Sequence, residues 1–153
     1  MNLKDKRDFL HVQLQENCVK LTSSLDMLLY SYDKCNKIGL MKEYNLEQLE
    51  SFEALTSRFA RTADLLTQKV CRTLFSLLQE HPKTFIDMAS MLEKLEIVES
   101  SETLLDIREL RNQIAHEYKE ADIIKIFAEV MKYVPVLEAC VNQTKKYIDD
   151  KGL

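Results

Sequence analysis

From Leu14 to Cys35 the apolar positions Leu14, Cys18, Leu21, Leu25, Leu28, Tyr32 and Cys35 recur at alternating steps of four and three. That spacing holds one stripe of a long helix against its neighbours. Gly39, just past Ile38, is placed to stop it. Asn45 followed three residues later by Gln48 is a capping-box variant. It opens a second helix whose seam runs Leu55, Phe59, Ala63, Leu66, Val70, Leu74 and Leu77. The two helices are expected to form an antiparallel hairpin, with His81-Pro82 breaking the second.

Beyond the break, Phe85, Met88, Met91, Leu92 and Leu95 make a shorter amphipathic piece. Ser100 or Ser101 can cap a fourth helix carrying Leu104, Ile107, Leu110 and Ile114. Asp122 can cap a last one, with Ile123, Phe127, Val130, Met131 and Val134 inward and a bend expected at Pro135. No linker, repeat or low-complexity stretch interrupts the chain. The expected fold is all-α: an up-and-down bundle of four main helices plus a short fifth, in a single domain spanning 1–153.

Composition agrees. The chain has only two glycines and two prolines in 153 residues, too little turn chemistry for a sheet protein. Apolar residues at 46% and charged residues at 30% give the balance of a globular domain. No signal-peptide-like or membrane-spanning apolar run occurs, so a cytoplasmic protein with no membrane contact is expected. Cys18, Cys35, Cys71 and Cys140 stand at scattered helical positions without a close pair. They read as reduced, buried thiols rather than a zinc site or a disulfide framework. The net charge of −4 has the wrong sign for a broad nucleic-acid-binding surface. Any such chemistry must come from a local site.

The stretch ELRNQIAHEYKEAD, residues 109–122, is where such a site can lie. On a helix turning about 100° per residue, Asn112 and His116 share a face, and Arg111 and Tyr118 share a neighbouring one. Asn112 can hydrogen-bond one imidazole nitrogen and fix the tautomer, leaving the other free to move a proton. Arg111 stands about 140° round from His116. A fraying helix end, or a second copy across a dimer axis, would bring them together. From spacing alone, a solvated arginine, a structural histidine and a packing tyrosine account for the same residues. His11 and His81 are isolated and carry no role.

The run Arg111, Asn112, three residues, His116, Glu117, Tyr118 resembles the signature of the HEPN superfamily: Arg, a polar residue, a short spacer, then His. The extension to Tyr118 is similar to the HepT-like branch, whose pattern is Arg, four residues, His, one residue, Tyr. Length and helix order fit that branch. The stretch SRFARTADLLTQKV, residues 57–70, resembles its second helix, with Arg58, Asp64 and Lys69 at familiar positions.

The resemblance implies an all-helical homodimer whose motif helices face each other, acting as a metal-independent ribonuclease toxin on RNA. Arg111 would bind the scissile phosphate, His116 would be the general acid/base and Asn112 would orient it. Asp64 is a supporting candidate, in a polar network or as a solvated charge. The resemblance further implies a partner, an MntA-like minimal nucleotidyltransferase antitoxin, that uses ATP and magnesium to place AMP on Tyr118. The chain itself would need no cofactor and no metal. Two other readings stand beside this one: a non-catalytic helical subunit that binds nucleotide or substrate for such a nucleotidyltransferase, and a purely structural oligomer.

Overall fold

The computed structural model describes residues 1–116 and 120–153, the side chains of 120 and 121 excepted. Its helices are α1 (Leu3–Ile38), α2 (Leu46–Asp64), a π-helical stretch (Leu65–Cys71), α3 (Arg72–Leu77), α4 (Phe85–Lys94), α5 (Ser101–Ala115) and α6 (Glu120–Asp150). The π stretch joins α2 to α3 without a break, so five helices pack together, with no strand among the described residues.

The capping signals work as their chemistry requires. Asn45 Oδ1 accepts from the Gln48 N–H at 2.8 Å, and Gln48 Oε1 accepts from the Asn45 N–H at 3.0 Å. These bonds satisfy two donors that helical geometry leaves orphaned. Gly39 ends α1 at φ 81°, a left-handed backbone angle that a side chain would strain. Ser100, the first of the two candidate serines, caps α5 by accepting from the Glu102 N–H at 3.2 Å.

All seven residues of the α2 seam are buried, from Leu55 to Leu77. Across from them lie Leu14, Leu21, Leu25, Leu28 and Cys35 of α1. Inside this apolar seam sits a polar ladder. Ser31 accepts from Arg58 Nη1 at 2.7 Å, Ser24 and Thr62 share a hydroxyl bond of 2.7 Å, and Asn17 donates to Thr73 at 3.4 Å. Asn17, Ser24 and Ser31 lie seven residues apart on α1, and their partners Thr73, Thr62 and Arg58 run back from α3 into α2 in the opposite sense. The hairpin is therefore antiparallel, as the seams imply. No buried side-chain N or O among the described residues lacks a partner, so these bonds offset the cost of burying them.

Two expectations change. The second helix ends at Leu77, before His81-Pro82, because Gln79 turns left-handed at φ 60° and the Glu80 N–H reaches back to the Phe75 carbonyl at 2.9 Å. Arg7 of α1 supports this end by donating to the Leu77 carbonyl at 3.2 Å. Asp122 does not cap α6, which already runs from Glu120. A carboxylate in the first helical turn complements the helix dipole as well as a cap does, so sequence could not separate the two roles. Helix α6 continues through Pro135, although proline removes one backbone donor there. Burial of Val130, Val134, Leu137 and Val141 keeps the two halves on one face.

At the far end, Phe52 stacks on Phe127 with centroids 4.7 Å apart, and Tyr44 leans on both. This cluster ties the α1–α2 loop to α6. No described helix is long and apolar enough to cross a membrane.

Candidate functional site

Helix α5 packs on α2, α4 and α6, which sets its last turn beside the point where α2 becomes π-helical. There Arg111 Nε donates to Asp64 Oδ1 at 2.8 Å and Nη2 donates to Asp64 Oδ2 at 2.9 Å. The fork is planar and directional, the strongest form of this pair. Hydrogen bonding to Asp64 first, and its charge second, raise the Arg111 pKa above its ordinary value. The two side chains remain 35% and 41% exposed, so the pair adds less than about 1 kcal/mol to stability. Its effect is geometric: the guanidinium is held still, with Asp64 its one side-chain partner among the described residues.

Arg111 and Asp64 both line a groove of about 680 Å³ between α2, the π stretch and α5. Arg61, Lys69, Arg108 and Arg111 line it, against a single carboxylate, Asp64, among the described residues. Its floor is apolar, from Ala63, Leu65, Phe85 and Ile107. Arg108 lies over the Phe85 ring at 4.4 Å, a cation–π contact that holds the second guanidinium in place. A neighbouring groove of about 430 Å³ shares Gln68, Phe85 and Arg108 and adds Arg72, His81 and Lys83 against Glu80. A chain that is acidic overall thus concentrates cations in one trough. The arrangement suits phosphate: a fixed arginine fork, further cations around it and a wall that excludes some water.

The π stretch is the structural cause of the groove's long wall. Leu65, Thr67, Gln68 and Lys69 of that stretch line it. The Thr67 hydroxyl donates to the Ala63 carbonyl at 2.9 Å and the Thr73 hydroxyl to the Lys69 carbonyl at 2.9 Å, steadying both ends of the irregular turn. Such π segments recur at functional sites.

Of the residues singled out in the sequence, Arg111, Asn112, Asp64 and Lys69 meet at this groove. His116 does not line it. It is the exposed residue after α5, in extended conformation at φ −85° and ψ 150°, and its backbone N–H donates to the Asn112 carbonyl at 3.2 Å. The helix ends one residue too early for the expected pairing of the Asn112 side chain with the imidazole, and no such bond occurs among the described residues. Asn112 therefore does not orient His116 in this structure. Tyr118 lies outside the described residues. Arg58 belongs elsewhere: it donates to Ser31 and to the Met27 carbonyl at 3.2 Å, joining α1 to α2.

The sequence reading passed over Arg61 and Arg108. Each stands three residues before a residue it did choose, Asp64 and Arg111, and so shares a helix face with it. A basic residue one turn before each site residue was the available signal. Among the described residues no group of three His, Cys, Asp or Glu side chains is placed to hold a metal ion. No family model, no curated protein and no solved structure matches this chain.

Proposed function

We propose that this chain is a HEPN-type, HepT-like ribonuclease that cuts RNA without a metal ion and acts as the toxin of a toxin–antitoxin pair. The observation that carries the reading is the Arg111–Asp64 fork, which fixes the guanidinium at the wall of a groove with three further cations. In RNA the 2′-hydroxyl already lies beside its phosphorus, so a proton acceptor and a cation for the developing charge suffice. His116 takes the 2′-OH proton as O2′ attacks, Arg111 bears the phosphorane charge, and the imidazolium returns a proton to the departing 5′ oxygen. The products are a 2′,3′-cyclic phosphate and a 5′-hydroxyl. Because His116 stands outside the groove of its own chain, the reading needs a homodimer in which the α5 end of a second copy faces it.

Cleavage of RNA in EDTA, with 2′,3′-cyclic ends, tests this. Arg111→Ala and His116→Ala should each lose it while keeping helicity. Activity abolished by EDTA and restored by magnesium overturns the mechanism. Control of the toxin by AMP transfer from an MntA-like nucleotidyltransferase to Tyr118 is part of the same proposal. Tyr118→Phe should cut RNA yet escape inactivation by the partner with ATP and magnesium. The position of His116 favours a second reading, a nucleotide-binding subunit that cuts nothing. ATP binding in the groove by a chain inert toward RNA would select it.

A further inference from the structure

Helix α1 has two apolar faces, and the bundle uses one. Leu14, Leu21, Leu28 and Cys35 face inward and are fully buried. Phe9, Val12, Val19, Met27 and Tyr30 are exposed, Val19 to 70% and Tyr30 to 68%. At about 100° per residue these five fall within an arc of about 80°, in a stripe about 32 Å long. Scattered apolar residues on a surface are ordinary; five on one arc of one helix, interrupted only by Glu16 and Ser23, mark a contact. α1 packs on α2, the π stretch, α3 and α6, none of which covers this side.

We propose that the stripe is an interface with a second copy of this chain, the two α1 helices lying antiparallel about a two-fold axis between Val19 and Lys20. An isologous contact must be complementary to itself when read backwards, and this stripe is. Phe9 meets Tyr30 of the second copy, Val12 meets Met27, Glu16 meets Ser23, and Val19 lies beside the axis facing its own counterpart. At the two ends Asp5 meets Lys34, opposite charges that lie on the same arc as the apolar residues. Asp5 is free to do so, since its cap contact with the Asn2 N–H is long at 3.4 Å and uses only one oxygen. Parallel helices would instead set Asp5 on Asp5, Glu16 on Glu16 and Lys34 on Lys34. A partner of unrelated sequence gives no reason for an order that reverses onto itself.

This contact is separate from the dimer of the proposed ribonuclease, which joins α5 ends on helices that pack across α2 from α1. It does not depend on that reading. Sedimentation equilibrium of the full chain at micromolar concentration tests it. Val19→Glu places two carboxylates beside the axis and should halve the particle mass with helicity unchanged, because the position is exposed in the single chain. Lys34→Asp should raise the dissociation constant at least tenfold, and adding Asp5→Lys should restore it. A monomeric wild type, a Val19→Glu variant of unchanged mass, or a double variant no tighter than Lys34→Asp overturns the proposal. So does a chain that substitution at the end of α5 alone, with α1 unchanged, turns into a monomer.

Discussion

Helix α2 carries an anchored charged residue on each of two sides, and the two sides do different things. Toward α1, Arg58 is spent on the fold: its donors go to Ser31 and to a backbone carbonyl. Toward α5, Asp64 holds Arg111 by one edge at the wall of a cation-lined groove. The first region consists of matched pairs with nothing left over. The second has positive charge in excess of its partners, and keeping like charges together costs stability unless something else arrives to neutralise them. Seam and groove should therefore respond to mutation in opposite ways.

The largest effect belongs to the seam. Phe59 is fully buried on α2, and Phe59→Ala should cost about 3–5 kcal/mol in urea unfolding. A loss under about 1 kcal/mol would show that the hairpin interface is not the core it resembles.

Arg111→Ala should reverse the pattern. Cleavage should fall by about 10²–10³-fold, the effect of removing one donor to a developing oxyanion, while the unfolding free energy moves by less than about 1 kcal/mol. Arg58→Met should show the complementary result, with stability lower by about 1–3 kcal/mol because the buried Ser31 loses its partner. Its activity per folded molecule should be unchanged. If Arg58→Met abolishes cleavage in a fully folded protein, the division between the two sides fails.

Asp64→Asn should be milder. The amide keeps part of the fork but not its charge, so kcat should fall about tenfold, roughly 1.4 kcal/mol, with KM for RNA not raised. A carboxylate that merely stiffened the fold would change melting and leave that split untouched.

The last effect concerns pH and is absent near neutrality. Burial pushes the thiols of Cys35 and Cys140 up to about 11 and that of Cys71 up to about 12, from 9.0. A raised pKa means the folded chain keeps its proton longer than the unfolded one. The associated stability is complete below pH 9.0 and declines as pH climbs toward 11 and 12. Arg111, also raised, behaves likewise further up the scale. Unfolding free energy should show no slope from these groups between about pH 6 and 8 and a fall above about pH 9. If no thiol-dependent fall appears above about pH 9, the seam is open to water.

The sequence alone was enough for the helices, because periodicity and capping are local. The steps of four and three in α1, the Asn45–Gln48 box and the Gly39 stop each follow from residues within a few positions of one another. Arg111 stood out for the same reason, within one short motif. What only tertiary structure decided is which distant residues meet. Arg58 and Asp64 are six residues apart on one helix; packing sent one to α1 and the other to Arg111. The π stretch was invisible because seam steps of three and four fit an ordinary helix as well, and only the folded structure shows where the backbone widens. The pairing of Asn112 with His116 failed because it assumed that the helix continued through His116, and a helix end is set by a balance of small terms that spacing does not resolve. Local chemistry fixed the elements, and long-range packing chose the faces on which their charges are used.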